Sequence, residues 1–286
     1  MEPDLPATLA RCRYFTGLRQ LALMRTSLAV DSVLAFFGES RFQTLRHLYL
    51  HGDNWPPVAF RSLANAGYTQ LRRLQLPQCG MTDDGAESLA NCAAFANLQT
   101  LELEGNVIEG RGVSALLASP HLRNLAYLGV GYNPAHHLDA ALLAQAEPGR
   151  LRMFHAHGSR LRTADVRALA RCPRMRTLLY LDLDNNRLHT AGVRELVRGF
   201  GKWCPPILWL TYNNIDNRGA EILANWKAAN MLRVLHLKHN YIMDSHAART
   251  LLDSPNLQNL DSFAISVTDD ETQNRIAARF PREVDY

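Results

Sequence analysis

Two pairs of side chains have the types and the spacing to do chemistry together. His155 and His157 are separated by one residue, and Asp182 and Asp184, 27 residues further on, are spaced the same way. Alternate residues of an extended strand share a face, about 7 Å apart along the backbone. If the two segments are neighbouring strands, a spacing of about 4.8 Å sets two imidazoles against two carboxylates in a square. Such a square could coordinate a zinc-like ion through His155, His157, Asp182 and Asp184, although it is wide for four ligands that must each reach the metal at about 2.1 Å. It could also pair histidine with carboxylate, which favours the protonated imidazole and brings its titration into the physiological range. Either outcome requires the fold to lay the two segments side by side.

A repeat supplies that arrangement. Residues Leu178–Leu188 read LLYLDLDNNRL, and the phrase LxxLxLxxN returns with starts at Leu18, Leu45, Leu71, Leu98, Leu125, Leu151, Leu178, Pro205, Leu232 and Leu257. Successive starts are 27, 26, 27, 27, 26, 27, 27, 27 and 25 residues apart, a period that means stacked units. The second half of each unit carries a helical stripe: Gly85, Ala86 and Leu89; Gly112, Val113 and Leu116; Gly192, Val193 and Leu196; Gly219, Ala220 and Leu223. These helices should run about three turns, with Pro120, Pro148, Pro173, Pro205 and Pro255 ending them. Asn106, Asn133, Asn186, Asn213 and Asn240 stand where the chain leaves the strand, where a short amide can bond the open backbone groups of the turn; Cys79 and Ser159 fill the same slot elsewhere. Burying about six apolar side chains per unit stabilises it by roughly 9–18 kcal/mol, less than the cost of ordering some 27 residues at about 1 kcal/mol or more each. A unit is therefore stable only between neighbours.

The strand phrase together with its Gly-small-x-x-Leu helix resembles the leucine-rich repeats of the ribonuclease-inhibitor-like class, over nearly the whole chain. The resemblance implies an α/β solenoid, an arc of about ten 26–27-residue βα repeats with a parallel sheet on the concave side and helices on the convex side. Residues 1–286 then form one domain: a half-repeat cap over 1–17, repeats over 18–256, and a degenerate last repeat with a closing helix over 257–286. The DDETQNRIAARFP segment places Ile276, Ala277 and Phe280 inward on that helix; its ARF-type closing phrase resembles those of bacterial proteins with this kind of array, and the resemblance implies a bacterial source.

Composition narrows the function. The net charge of +4 comes from dispersed arginines, with no basic run that would mark a nucleic-acid tail. There is no signal-like start and no apolar stretch long enough to span a membrane. Five cysteines, an odd number placed mainly in small-residue slots, suit free thiols in a reducing compartment, so a cytoplasmic protein is expected, and the polar closing helix, which ends the array, implies a monomer. No phosphate loop, GxSxG, HExxH or paired CxxC occurs, and neither catalysis nor a cofactor is expected.

The third, fifth and seventh residues of each phrase alternate with the core leucines and should face the concave side. Five of the eleven histidines fall on these thirty positions, where chance would place about one: His47, His51, His155, His157 and His236. Five aromatics join them: Tyr49, Tyr127, Tyr180, Trp209 and Phe263. Glu102, Glu104, Asp182, Asp184 and Asp261 outnumber Arg73 and Lys238 there, the wrong sign for a groove that tracks phosphates. Tyr132, Tyr212 and His239, in the eighth slot, extend this surface to the rim. The expected function is non-enzymatic binding of a protein or peptide, with no nucleic-acid or membrane partner. Its expected contacts are Tyr49, Glu102, Glu104, Tyr127, His155, His157, Tyr180, Asp182, Asp184, Trp209, Tyr212, His236 and Lys238. Two alternatives stand beside it: regulation of an enzyme, since some proteins of the resembling class activate small GTPases, and a metal-dependent site at the His/Asp square.

Overall fold

The structure is a computed structural model that describes residues 17–25, 30–39, 42–52, 54–242 and 245–281. Most of the expected N-terminal half-repeat lies outside the described residues. Ten strands form one parallel sheet in sequence order: β1 Gln20–Met24, β2 His47–His51, β3 Arg73–Gln75, β4 Thr100–Glu102, β5 Tyr127–Gly129, β6 Met153–His155, β7 Tyr180–Asp182, β8 Ile207–Trp209, β9 Val234–Leu237 and β10 Ser262–Ile265. The alternation of the LxL phrase explains why they pair so regularly. Leu48, Leu74, Leu101, Leu128, Phe154, Leu181, Leu208 and Leu235 are in register across the sheet, and all are buried. A slip of one residue would turn this whole column to the solvent face.

Each of the strands β1 to β9 leads into a turn whose eighth-slot residue has positive φ: Arg25, Gly52, Gln78, Gly105, Tyr132, Gly158, Asn185, Tyr212 and His239. The asparagine that follows ties two repeats together. Asn106 accepts from the backbone N–H groups of Cys79 and Met81, each at 2.9 Å, and donates to the carbonyls of Leu76 and Leu103, each at 2.8 Å. Asn133 bonds Ile108 N, Leu103 O and Val130 O; Asn186 bonds Leu161 N, Ala156 O and Leu183 O; Asn240 bonds Asn213 N, Ile215 N, Leu210 O and Leu237 O. Where the slot departs from asparagine the bonds are partly kept, the Cys79 thiol donating to Leu50 O and the Ser159 hydroxyl to Val130 O.

The chain returns through helices α1 Val30–Gly38, α2 Pro57–Asn65, α3 Asp83–Ala90, α4 Gly110–Ala118, α5 Ala140–Ala144, α6 Thr163–Arg171, α7 His189–Phe200, α8 Asn217–Ala224, α9 Ser245–Asp253 and α10 Asp270–Arg279. The core lies between them and the sheet. The glycine of the helical phrase permits close approach: a Cβ on Gly112 would lie 2.7 Å from Ile108 and 3.0 Å from Ala86 of the neighbouring helix. Pro173 and Pro255 do more than stop a helix, since each opens the short 3-10 turn that delivers the chain to the next strand. After the short α5, Arg174 fills the gap. It is buried, and its guanidinium donates to the carbonyls of Ser119, Leu122 and Glu147.

The last repeat is registered differently from the expectation. Ser262 pairs with Val234 and Phe263 with Leu235, so the final step is 28 residues and the phrase starts at Leu260. Leu257 instead belongs to a 3-10 turn, in the place that Met175 and Ala229 occupy in earlier repeats. Phe263 is therefore a core residue that ends the leucine column and packs against Phe280, with ring centroids 5.8 Å apart; it is not a concave aromatic. Asp261 lies before the strand and is exposed. Ile276 of α10 and Phe280 just beyond it pack on the core as expected, while Ala277 is exposed.

The bonds of Asn106 are all backbone groups that water cannot replace once buried. Asn106→Ala should therefore cost about 3 kcal/mol or more, comparable to the roughly 2–5 kcal/mol expected for Leu183→Ala in the core. Urea melts of the two variants measure this; a loss below about 1 kcal/mol for Asn106→Ala would show that the turn finds other partners.

Candidate functional site

The register places the two chemical pairs together, since His155 is directly opposite Asp182 on adjacent strands. His157 and Asp184 follow in the seventh slot, where each backbone carbonyl accepts from the eighth-slot N–H of the preceding repeat, Tyr132 and Gly158 respectively. Both histidines turn Nδ1 toward the same carboxylate oxygen. His157 Nδ1 lies 3.1 Å and His155 Nδ1 3.7 Å from Asp182 Oδ2. The other oxygen of Asp182 accepts from Asp184 N at 2.9 Å. The square is thus not four converging ligands: Asp184 turns away, and its Oδ1 accepts from Thr211 N at 2.6 Å. The donor atoms that do converge belong to His155, His157 and Asp182, all within 4.8 Å of one another, a set that can share a proton or face a cation.

The two imidazoles are not equivalent. The Asp182 hydrogen bond raises the His157 pKa above that of a free imidazole, with Asp182, Glu104 and Asp184 adding in the same direction against burial. Burial instead lowers that of His155, outweighing the same carboxylate. Asp184 is pushed up to about 7 by burial and by the charge of Asp182. Burial also raises Glu104, whose Oε1 is 3.9 Å from His157 Nε2. Space for the His157 ring comes from Gly131, where a Cβ would approach the ring to 2.6 Å.

A continuous row of rings crosses the face. Tyr127 lies 4.9 Å from His155, His155 stacks on Tyr180 at 4.6 Å, Tyr180 meets Trp209 edge-on at 5.2 Å, and Trp209 stacks on His236 at 5.1 Å. Packing within the row buries Tyr180 and Asp182, each 4% exposed, so both support the surface where they were expected to form it. Tyr49, Glu102, Glu104, Tyr127, His155, His157, Asp184, Trp209, His236 and Lys238 are half-buried on the concave side. At the rim Tyr132 and Tyr212 are 60% and 53% exposed. Tyr132 meets His157 edge-on at 4.8 Å, and Tyr212 stacks on His239 at 4.2 Å.

Between the two rim tyrosines lies a cleft of about 520 Å³ with Trp209, Thr211, Asp182 and Asp184 on its walls. Asn185 also lines it and was missed from the sequence. Its signal was available, since it occupies the eighth slot that Tyr132 and Tyr212 share. Tyr49 stands apart from this cluster, stacked over His51 at 6.2 Å near the other end of the sheet. None of the described helices is long and apolar enough to cross a membrane, and the described cysteines Cys79, Cys92, Cys172 and Cys204 are buried free thiols.

The raised Asp184 pKa has a consequence for stability. A folded-state value near 7 against 3.8 for the free group means that the folded protein binds the proton more tightly. Stability from this group is then present at low pH and falls as pH rises from about 4 to about 7. Asp184→Asn does not titrate, so its stability relative to the parent should increase across that window, by on the order of 2–4 kcal/mol in total. Denaturant melts from pH 4 to pH 8 test this, and a pH-independent difference would contradict it.

Comparison with known proteins agrees with the repeat architecture. A family model described as Leucine Rich repeat matches residues 69–90, 96–117 and 174–197. Ribonuclease inhibitor from Mus musculus is 28% identical over 214 residues, 60% of this chain and 46% of the inhibitor, so the match spans about half the length of that curated relative. Among solved structures, the crystal structure of the Rad7 and Elc1 complex in yeast aligns with a TM-score of 0.53 at 16% identity, covering 99% of this chain and 81% of that one. The crystal structure of a TDR receptor aligns with a TM-score of 0.51 at 14% identity, covering 92% of this chain and 46% of that one. The ten-stranded parallel sheet, the alternating helices and these likenesses establish the fold as a leucine-rich-repeat solenoid.

Proposed function

We propose that the protein is a non-enzymatic recognition module that holds another protein, or a peptide, on its concave face between β5 and β9. The observation that carries this reading is the way large rings are held there at a cost to the fold. Tyr132 and Tyr212 have φ of 54° and 55°, a region disfavoured for bulky side chains by about 1 kcal/mol or more, yet both leave more than half of their surface in solvent. Beside them the Trp209 indole N–H and His155 Nε2 are buried without a hydrogen-bond partner, which costs about 1–3 kcal/mol each. Stability alone does not account for these choices, and rings beside carboxylates are the usual material of binding hot spots. The relatives support the class: one is named an inhibitor of ribonuclease, and Rad7 was crystallised in complex with Elc1.

A photo-reactive phenylalanine analogue at position 212 should crosslink to a discrete partner in cells, and the same group at exposed Arg194 on α7 should not. Trp209→Ala should weaken that partner by about 2 kcal/mol or more while costing about 1 kcal/mol of stability. Crosslinks from position 194 alone, or crosslinks at position 212 that persist unchanged in Trp209→Ala, would move the binding surface elsewhere.

A further inference from the structure

The charges in the cleft between Tyr132 and Tyr212 do not balance. Asp182, Asp184 and Glu104 gather around a single raised imidazole, His157, while burial holds His155 toward its neutral form. The arginine ion pairs among the described residues lie elsewhere: Arg111 with Asp83, Asp84 and Glu87, Arg123 with Glu147, Arg167 with Glu195, Arg249 with Glu271, and Arg275 with Asp253. Asp182 uses both oxygens within the fold, one on His157 and one on Asp184 N. Asp184 also lines the open cleft, and its Oδ1 accepts from Thr211 N at 2.6 Å. A positive group arriving there would relieve the repulsion between the two aspartates.

The walls of the cleft narrow the kind of cation. Trp209 and Tyr212 line it beside the carboxylates, and Tyr132 leans over Gly158, where a Cβ would meet its ring at 2.6 Å. A guanidinium is planar, weakly hydrated, stacks on rings and bonds a carboxylate through two N–H groups, whereas an ammonium is a strongly hydrated point charge. We propose that the cleft receives an arginine side chain of the bound protein, its guanidinium on Asp184 and its stem against Trp209 and the rim tyrosines. The proposal rests on the concave-face reading and names the chemistry of its central contact.

The test uses the full chain labelled with nitrogen-15, with the indole signal of Trp209 assigned from Trp209→Phe. Titration with N-acetyl-arginine methylamide should shift that signal saturably in the millimolar range and leave the signal of buried Trp226 unmoved. The neutral citrulline analogue and the lysine analogue should each bind at least about tenfold more weakly, and Asp184→Asn should weaken the arginine analogue at least about tenfold. The analogue series on the parent protein decides the matter even if the variant folds poorly. No saturable shift, equal binding of citrulline or of lysine, or an unchanged affinity in Asp184→Asn each overturns the proposal. A response to zinc chloride with none to the arginine analogue overturns it in favour of a metal at His155, His157 and Asp182. Failure of the arginine analogue together with Trp209-dependent crosslinking at position 212 removes only the anchor chemistry; failure of both removes the concave reading.

Discussion

The side-chain amide in the turn after each strand is the interaction on which the rest of this fold depends. A parallel sheet of strands three to five residues long leaves backbone groups open where each strand ends, and those groups are buried against the next repeat. One amide has two donors and an acceptor that can take two bonds, so it can satisfy its own turn and its neighbour's together. Asn106 does so with four backbone groups in two repeats. Stacking, register and burial are thereby set by the same few atoms, and a residue in the fifth or seventh slot has its direction fixed by bonds it does not itself make.

The functional consequence is a division of labour along the phrase. Core slots hold leucine with little variation, turn slots hold asparagine or a small donor, and only the outward slots vary freely. In the central repeats they hold rings and carboxylates in mutual contact, from Tyr127 through His155, Tyr180 and Trp209 to His236. The outer helices carry arginines paired across adjacent repeats, as Arg111 and Arg167 are. Those exposed pairs contribute little to stability. The concave charges sit in a less polar setting and act on one another more strongly, which is why Asp184 and His157 depart from their ordinary titration.

The period, the sheet and the facing of nine of the ten strands were legible because leucine spacing and strand geometry share one repeat length. The tenth was misread because Leu257 and Leu260 both satisfy the start of the phrase. Only packing distinguishes the 3-10 core residue from the strand residue, and so Phe263 was placed on the wrong face. The gathering of His155, His157, Asp182 and Asp184 could be read from spacing alone. Which of them meet could not, because that depends on rotamers: Asp184 prefers the N–H of Thr211, and both histidines take one oxygen of Asp182. Burial of Tyr180 and Arg174 was equally hidden, the first arising from flanking rings and the second from a helix shortened to five residues.

If the amide-linked turns hold the concave face as one rigid surface, their backbone N–H groups should open only when the whole arc unfolds. Native-state hydrogen exchange reads this directly at Cys79, Met81, Leu161 and Ile215, whose N–H groups are bonded to an asparagine side chain of the following repeat. The account predicts that these four exchange with one common free energy, equal to that of global unfolding and to that of the strand amides of Leu101 and Leu208. Exchange of the four turn amides at a free energy well below that of the strands would contradict it.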